Sequence, residues 1–180
     1  ESKFLDQPMV AKVIAVLPNA PADAATGNGG EVGYLARGQP GFGRGTYDGE
    51  NTYAVISAFR PEQDGDMGRR KALYVAGFAV MLDDLGTKVE MKRGLALPPS
   101  YLVETSPNNF QSWLFFAEPI EAREEHEALL DALVRSGLSL DGTDPGMRGV
   151  TRYGRMPFGV NTKRKYGPGG FKVRLHEWAP

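Results

Sequence analysis

Asp83 and Asp84 close an unbroken apolar run, Leu73 to Leu82 (LYVAGFAVML). Two adjacent carboxylates in such surroundings need compensation, because an apolar environment penalises the ionised form. A divalent cation is the natural compensation. The run itself is expected to be a central buried strand that delivers the acids at its C-terminal end. Strand alternation sends neighbouring side chains to opposite faces, so both acids can serve one site only where the strand ends or bulges, which Leu85-Gly86 permits. Otherwise one Asp caps a turn and the other is solvated. A third acid would complete the set. Asp141 and Asp144 stand in a turn-rich stretch before a basic segment, and Glu104 ends a short run of its own. Three carboxylates from separate strands can hold two ions about 3.5 to 4 Å apart, the arrangement used in two-metal phosphoryl transfer.

Phosphate chemistry also needs cations, and their distribution is uneven. The whole chain of 180 residues carries 21 Lys and Arg against 22 Asp and Glu, a formal charge of −1. Its overall field therefore gives no argument for a polyanionic partner. Yet between Pro145 and His176 stand Arg148, Arg152, Arg155, Lys163, Arg164, Lys165, Lys172 and Arg174 with no Asp or Glu among them. That asymmetry suggests a strip facing phosphates, with Tyr153, Phe158, Tyr166 and Phe171 interleaved as candidates for stacking on bases. The absence of Cys excludes a disulfide framework, a thiolate zinc site and a Cys nucleophile. With only His126 and His176, a His-rich metal site is excluded too, and each His is expected to be structural.

The elements that must position these residues can be read coarsely. Val10 to Leu17 reads as a strand ended by Pro18, and Gly27 to Gly49, with nine Gly in twenty-three residues, as a long irregular excursion. Thr52 to Phe59 reads as one strand, Tyr101 to Glu104 and Phe110 to Phe116 as a hairpin about Ser106-Pro107-Asn108-Asn109, and Phe171 to Trp178 as a last amphipathic strand. Glu118 to Ser136 has helical spacing of Leu129, Leu130, Leu133 and Val134, with Gly137 where a C-terminal cap belongs. Strands, hairpins and at least one helix, without repeats or heptads, predict an α+β fold with one sheet face covered. The expected organisation is a single domain over residues 1–180, compatible with excision from a longer protein because the chain begins without Met. No apolar run approaches the roughly 20 residues that cross a bilayer, so a cytoplasmic protein without membrane partners is expected.

Three blocks in order carry a family resemblance. They are Leu82-Asp83-Asp84-Leu85-Gly86, then Glu104-Thr105-Ser106-Pro107-Asn108-Asn109-Phe110-Gln111, then Asp144-Pro145 followed by Arg155-Met156-Pro157-Phe158-Gly159-Val160-Asn161-Thr162-Lys163. This succession, over about residues 53 to 165, resembles the archaeo-eukaryotic primase superfamily. It looks most like the primase-polymerase domains of plasmids, phages and other mobile elements. The resemblance implies metal-binding, catalytic roles for Asp83, Asp84 and Asp144, with Mg2+ or Mn2+ as cofactor. It further implies nucleotide contacts from Ser106, Asn109, Gln111, Arg155, Asn161 and Lys163. In many members the second block is a Ser-x-His type motif that binds the incoming nucleotide's phosphates, and here Gln111 stands at the His position. The implied fold is a two-part α+β unit whose catalytic sheet is like that of an RNA-recognition motif, flanked by helices.

The implied activity is a template-dependent primase-polymerase acting in DNA replication. It would join nucleoside triphosphates on single-stranded DNA, with a replicative helicase in the same or another chain as an associated partner. Two rivals stand beside it. An apolar strand ending in Asp-Asp also marks the ribose-phosphate loop of phosphoribosyltransferases, although their Thr-Gly-Gly continuation is missing after Gly86-Thr87-Lys88. A non-catalytic module binding single-stranded DNA or an origin would use the basic strip alone.

Overall fold

A computed structural model describes residues 13–17, 33–36, 51–60, 70–138, 148–157 and 159–179 of the chain. Its first strands are β1 (Val13–Leu17), β2 (Gly33–Ala36), β3 (Asn51–Val55) and β4 (Ser57–Phe59). Then come the long β5 (Tyr74–Leu85), the hairpin of β6 (Tyr101–Ser106) and β7 (Asn109–Ile120), and a helix α1 (Arg123–Leu133). Four short strands follow, β8 (Tyr153–Arg155), β9 (Val160–Asn161), β10 (Phe171–Lys172) and β11 (Arg174–Trp178). Among the described residues these form a five-stranded sheet ordered β11-β6-β7-β5-β4, a four-stranded sheet ordered β2-β1-β3-β8, and the pair β10-β9. The strand pairings are antiparallel.

Both faces of the large sheet are covered, not one as the sequence pattern predicts, which is why β5 is apolar almost throughout. On one face Val80 and Leu82 meet Leu130, Leu133 and Val134 of the α1 region. On the other, Met81, Trp113 and Tyr101 form one cross-strand row, with the Tyr101 and Trp113 rings stacked at 5.1 Å. Strand β8 lies over that row at Gly154, where a β-carbon would overlap Met81 Sδ and come within 2.5 Å of the Trp113 ring. Only glycine allows so close an approach.

Several sequence expectations are corrected by these pairings. Thr52 to Phe59 is not one strand. It breaks at Ile56, whose N–H donates to Arg152 O (3.2 Å) while its carbonyl accepts from Phe78 N (2.9 Å). The segment thus leaves the four-stranded sheet as β3 and enters the large sheet as β4. Phe171 to Trp178 likewise splits at the buried Val173, whose N–H donates to Gly159 O (2.8 Å). Within the Gly-rich excursion, Gly33–Ala36 is a strand, held by its backbone pairing with β1. The helix starts at Arg123 rather than Glu118, because Ile120 still pairs with Gly77 in the sheet and the Tyr74 hydroxyl donates to Ile120 O (2.6 Å). Its end agrees with expectation. Gly137 takes φ +78°, and an Arg93 guanidinium nitrogen donates to Ser136 O (3.0 Å), satisfying a carbonyl that the helix end exposes.

No helix among the described residues is long and apolar enough to cross a membrane.

Candidate active site

The two acids lie where β5 departs from regularity. Leu82 pairs with Ser112 and Leu85 with Phe110, so β5 advances three residues while β7 advances two. Asp83 and Asp84 together therefore oppose Gln111, which is the arrangement of a β-bulge. Asp84 takes φ +58°, a left-handed conformation that Asp tolerates better than most residues. The bulge cancels the alternation that would have parted the two side chains, and both line one cleft of about 530 Å³. After the bulge the chain turns sharply, with Asp84 O accepting from the amides of Lys88 (3.0 Å) and Val89 (3.0 Å).

Each acid is held by named donors. Asp83 Oδ1 accepts from the Asp84 amide (2.8 Å) and from Gln111 Nε2 (3.0 Å). Asp84 Oδ2 pairs with Lys88 Nζ at 2.7 Å, and its Oδ1 accepts from Asn109 Nδ2 (3.3 Å). Burial pushes the Asp83 carboxyl above the usual carboxylate range, and the neighbouring Asp84 charge pushes the same way. The bonds from Gln111 and the Asp84 amide, and the charge of Arg152, oppose this. Asp83 is thus under-compensated, while Asp84 has the Lys88 ammonium beside it. All of the pair's donor atoms are carboxylate oxygens, with the Asn109 amide alongside, a set that suits Mg2+ or Mn2+. Among the described residues no three His, Cys, Asp or Glu cluster, and Asp144 and Asp141 both lie outside the described residues.

The hairpin supplies the floor of the cleft. Pro107 and Asn108 form its turn, Asn108 at φ +58°, and Glu104 Oε1 accepts from the Asn108 amide (3.0 Å). Glu104 is therefore a structural brace here. Its Oε2 faces Arg174 Nη1 and His176 Nε2, each at 3.4 Å. Although burial works against it, the bond from Asn108 and the two basic groups hold its carboxyl below the usual range. Asn109 reaches Asp84 from the same turn, and its Oδ1 accepts from Thr87 Oγ1 (2.9 Å).

The opposite wall comes from the Arg155-to-Lys163 string. Arg155 is 7% exposed, its guanidinium 4.8 Å from the centre of the Tyr53 ring, and Nη2 donates to Asn161 Oδ1 (2.9 Å). Asn161 Nδ2 in turn donates to Thr105 O (2.8 Å), and the Lys163 amide reaches Asn161 Oδ1 at 3.3 Å. Asn161 thus fastens this string to the hairpin and holds Arg155 in place. Gln111 fastens it a second time, since its Oε1 accepts from the Arg155 amide (2.8 Å).

The structure therefore brings together Asp83, Asp84, Ser106, Asn109, Gln111, Arg155, Asn161 and Lys163 around one cleft. Thr87, Lys88 and Thr105, to which the sequence assigns no role, line it too, as do Lys165 and Tyr166 from the basic strip. Lys88 had a legible signal, standing four residues after Asp84 in a tight turn. Tyr166 had been a candidate only for base stacking. It takes a hydrogen bond from Ser106 that, with Lys165, outweighs burial and lowers its hydroxyl pKa. The basic strip is divided rather than continuous. Lys163 and Lys165 face the cleft, Arg148 lies 3.6 Å from Asp131 on the helix, and Arg174 pairs with Glu104. Tyr153 packs edge-on against Tyr53 at 4.8 Å, and Phe158 lies outside the described residues.

Residues 46–178 match the family described as the RepB DNA-primase N-terminal domain. Among curated proteins no sequence match is found. Three solved structures share the fold. The primase-polymerase domain of cyanophage S-2L is 16% identical, with a TM-score of 0.59 over 97% of this chain and 85% of that one. Primase RepB' is 20% identical, with a TM-score of 0.53 over 98% of this chain but only 55% of that one. The catalytic domain of RepB' in complex with initiator DNA is also 20% identical, with a TM-score of 0.53 over 94% and 78%.

Proposed function

Because the chain belongs to the RepB DNA-primase N-terminal domain family, we propose that it is a primase-polymerase that joins nucleoside triphosphates on a single-stranded DNA template. The observation that carries this reading is the bulge that turns Asp83 and Asp84 into one cleft with Arg155, Lys163 and Lys165. Carboxylates facing cations across a polar cleft suit a triphosphate escorted by divalent metal. They do not suit an uncharged substrate. Family membership favours this reading over the phosphoribosyltransferase alternative, and the paired acids favour it over a binding module.

In this reading Asp83 and Asp84, completed by Asp144, would hold Mg2+ or Mn2+, which when bound would supply positive charge to the reacting oxygens. The chain's own residues do the positioning. Gln111 and the Asp84 amide fix the Asp83 carboxylate, and Asn109 steadies Asp84 from the hairpin turn. Asn161 orients Arg155 toward the anionic substrate. When the 3′-hydroxyl oxygen of the growing strand attacks the α-phosphorus, negative charge gathers on the departing pyrophosphate. Arg155 is fixed in advance to receive it, and Lys163 and Lys165 line the same cleft. Asn109 adds a neutral donor along the floor, Ser106 would add another on giving up its bond to Tyr166, and Gln111 retains one amide hydrogen for a phosphate oxygen.

The test is incorporation of labelled triphosphates on a single-stranded template with Mn2+, with and without a primer. Wild-type protein should extend or initiate, and Asp83→Asn or Asp84→Asn should reduce synthesis to background. Template binding without incorporation by the wild type would favour the non-catalytic module instead.

A further inference from the structure

Lys88 is the one cleft cation, among the described residues, that stands on the same loop as the acids, and it is paired with one of them. Its Nζ lies 2.7 Å from Asp84 Oδ2, while its amide is tied to Asp84 O at 3.0 Å. Arg155, Lys163 and Lys165 belong to the facing string. The ammonium thus sits on one of the two oxygens that Asp84 could offer to a divalent cation shared with Asp83. A divalent cation and an ammonium repel each other, so a cation on this carboxylate weakens the ion pair. The Lys88 side chain is 53% exposed, so its stem can rotate while the bonded backbone stays still. The anions that would then lie nearest are those of the substrate.

We propose that Lys88 is an exchange residue: it neutralises Asp84 in the empty site, and passes to the triphosphate when a divalent cation takes its place. This rests on the proposed function above. It makes cation and nucleotide binding cooperative through one side chain, since each ligand provides what the other displaces. Without nucleotide, Lys88 competes with the cation. With nucleotide, it contributes a charge-assisted hydrogen bond. Removing the ammonium should therefore push the two affinities in opposite directions, which a residue that merely supports the loop would not do.

The experiment measures Mn2+ binding by electron paramagnetic resonance, first alone and then with a non-hydrolysable nucleoside triphosphate analogue, alongside calorimetry of the analogue. The proteins are wild type, Lys88→Met, Lys88→Arg, Asp83→Asn and Asp84→Asn. Lys88→Met keeps the length of the stem and removes its charge. It should bind Mn2+ alone about two- to fivefold more tightly, as expected from losing an exposed ion pair. It should bind the Mn2+-loaded analogue about tenfold more weakly. Lys88→Arg should restore much of the analogue affinity. If Lys88→Met leaves both affinities unchanged, or weakens both, the exchange is overturned while the acids keep their role. If neither Asp→Asn variant weakens Mn2+ binding, the reading of the acids as cation ligands fails, and the exchange fails with it.

Discussion

At the scale of single residues, Asp83 carries a charge that its surroundings resist. Burial is the larger cause and the Asp84 carboxylate the next, so its folded-state pKa lies above the ordinary 3.8. A raised carboxyl pKa means that the folded state holds the proton more tightly than the unfolded state does. The contribution to stability is therefore complete below 3.8 and is lost as pH rises through the folded pKa. The expectation is that Asp83→Asn, which keeps both accepted hydrogen bonds, melts higher than wild type at neutral pH without divalent cations, while being inactive. Melting curves at pH 4.5 and pH 7 check this: the gap between the two proteins should widen at the higher pH. A variant that melts lower than wild type at pH 7 would show that the charge is better solvated than its burial indicates.

At the scale of elements, the site depends on irregularities more than on regular strands. Gly154 lets β8 approach the large sheet, and the same strand carries Arg155 into the cleft. Gly154→Ala places a β-carbon against Met81 Sδ, the Trp113 ring and, at 3.0 Å, Gln111 Oε1. Overpacking of this kind costs about 1 to 3 kcal/mol. The expected result is a lower melting temperature together with slower synthesis, because the carbonyl oxygen that fixes the Arg155 amide is displaced too. Chemical denaturation and single-turnover incorporation measure the two effects separately. If stability falls while single-turnover rates remain unchanged, β8 supports the fold without tuning the cleft. These elements also show how far sequence reaches. The apolar run before Asp83, the Pro107-Asn108 turn and the Gly137 cap all carry local signals, and each was legible. The breaks at Ile56 and Val173 were not, because a β-branched residue that crosses between two sheets has the same local propensity as one within a strand. The hydrogen bonds that decide the matter come from Arg152, Phe78 and Gly159, far away in sequence.

At the scale of the whole molecule, α1 is fastened to the sheet through His126, which is fully buried. Its Nε2 lies 3.1 Å from Ala79 O, its Nδ1 3.2 Å from the Tyr74 hydroxyl, and its ring covers Gly77 so closely that a β-carbon there would overlap it. Burial lowers its pKa below 6.5, against the pull of the Ala79 carbonyl and Glu127. The unfolded state then binds the proton more readily than the folded one. Stability from the neutral ring is complete above 6.5 and declines as pH falls below it, toward the folded pKa. Urea unfolding of wild type should therefore lose free energy between pH 7 and pH 5, and His126→Leu should show a flatter profile. Equal slopes for the two proteins would mean that other groups govern the acid limb. The cleft was only partly visible at this scale. The acid pair was marked by its place after an apolar run and the Arg155-to-Lys163 string by the family resemblance, while Lys88, Lys165 and Tyr166 joined the cleft through the turn of the chain after the bulge and the short 3-10 turn Arg164–Tyr166.

The Arg155 amide donates to the Gln111 side chain at 2.8 Å. A backbone proton in the four-stranded sheet is thus guarded by a side chain of the five-stranded one, and it can exchange with solvent deuterium only when the two part. Its exchange rate is a clock for that parting, readable at a single nucleus while the global fold stays intact. Ligands that grip both walls of the cleft should slow the clock, and ligands held by the acids alone should leave its rate as it was.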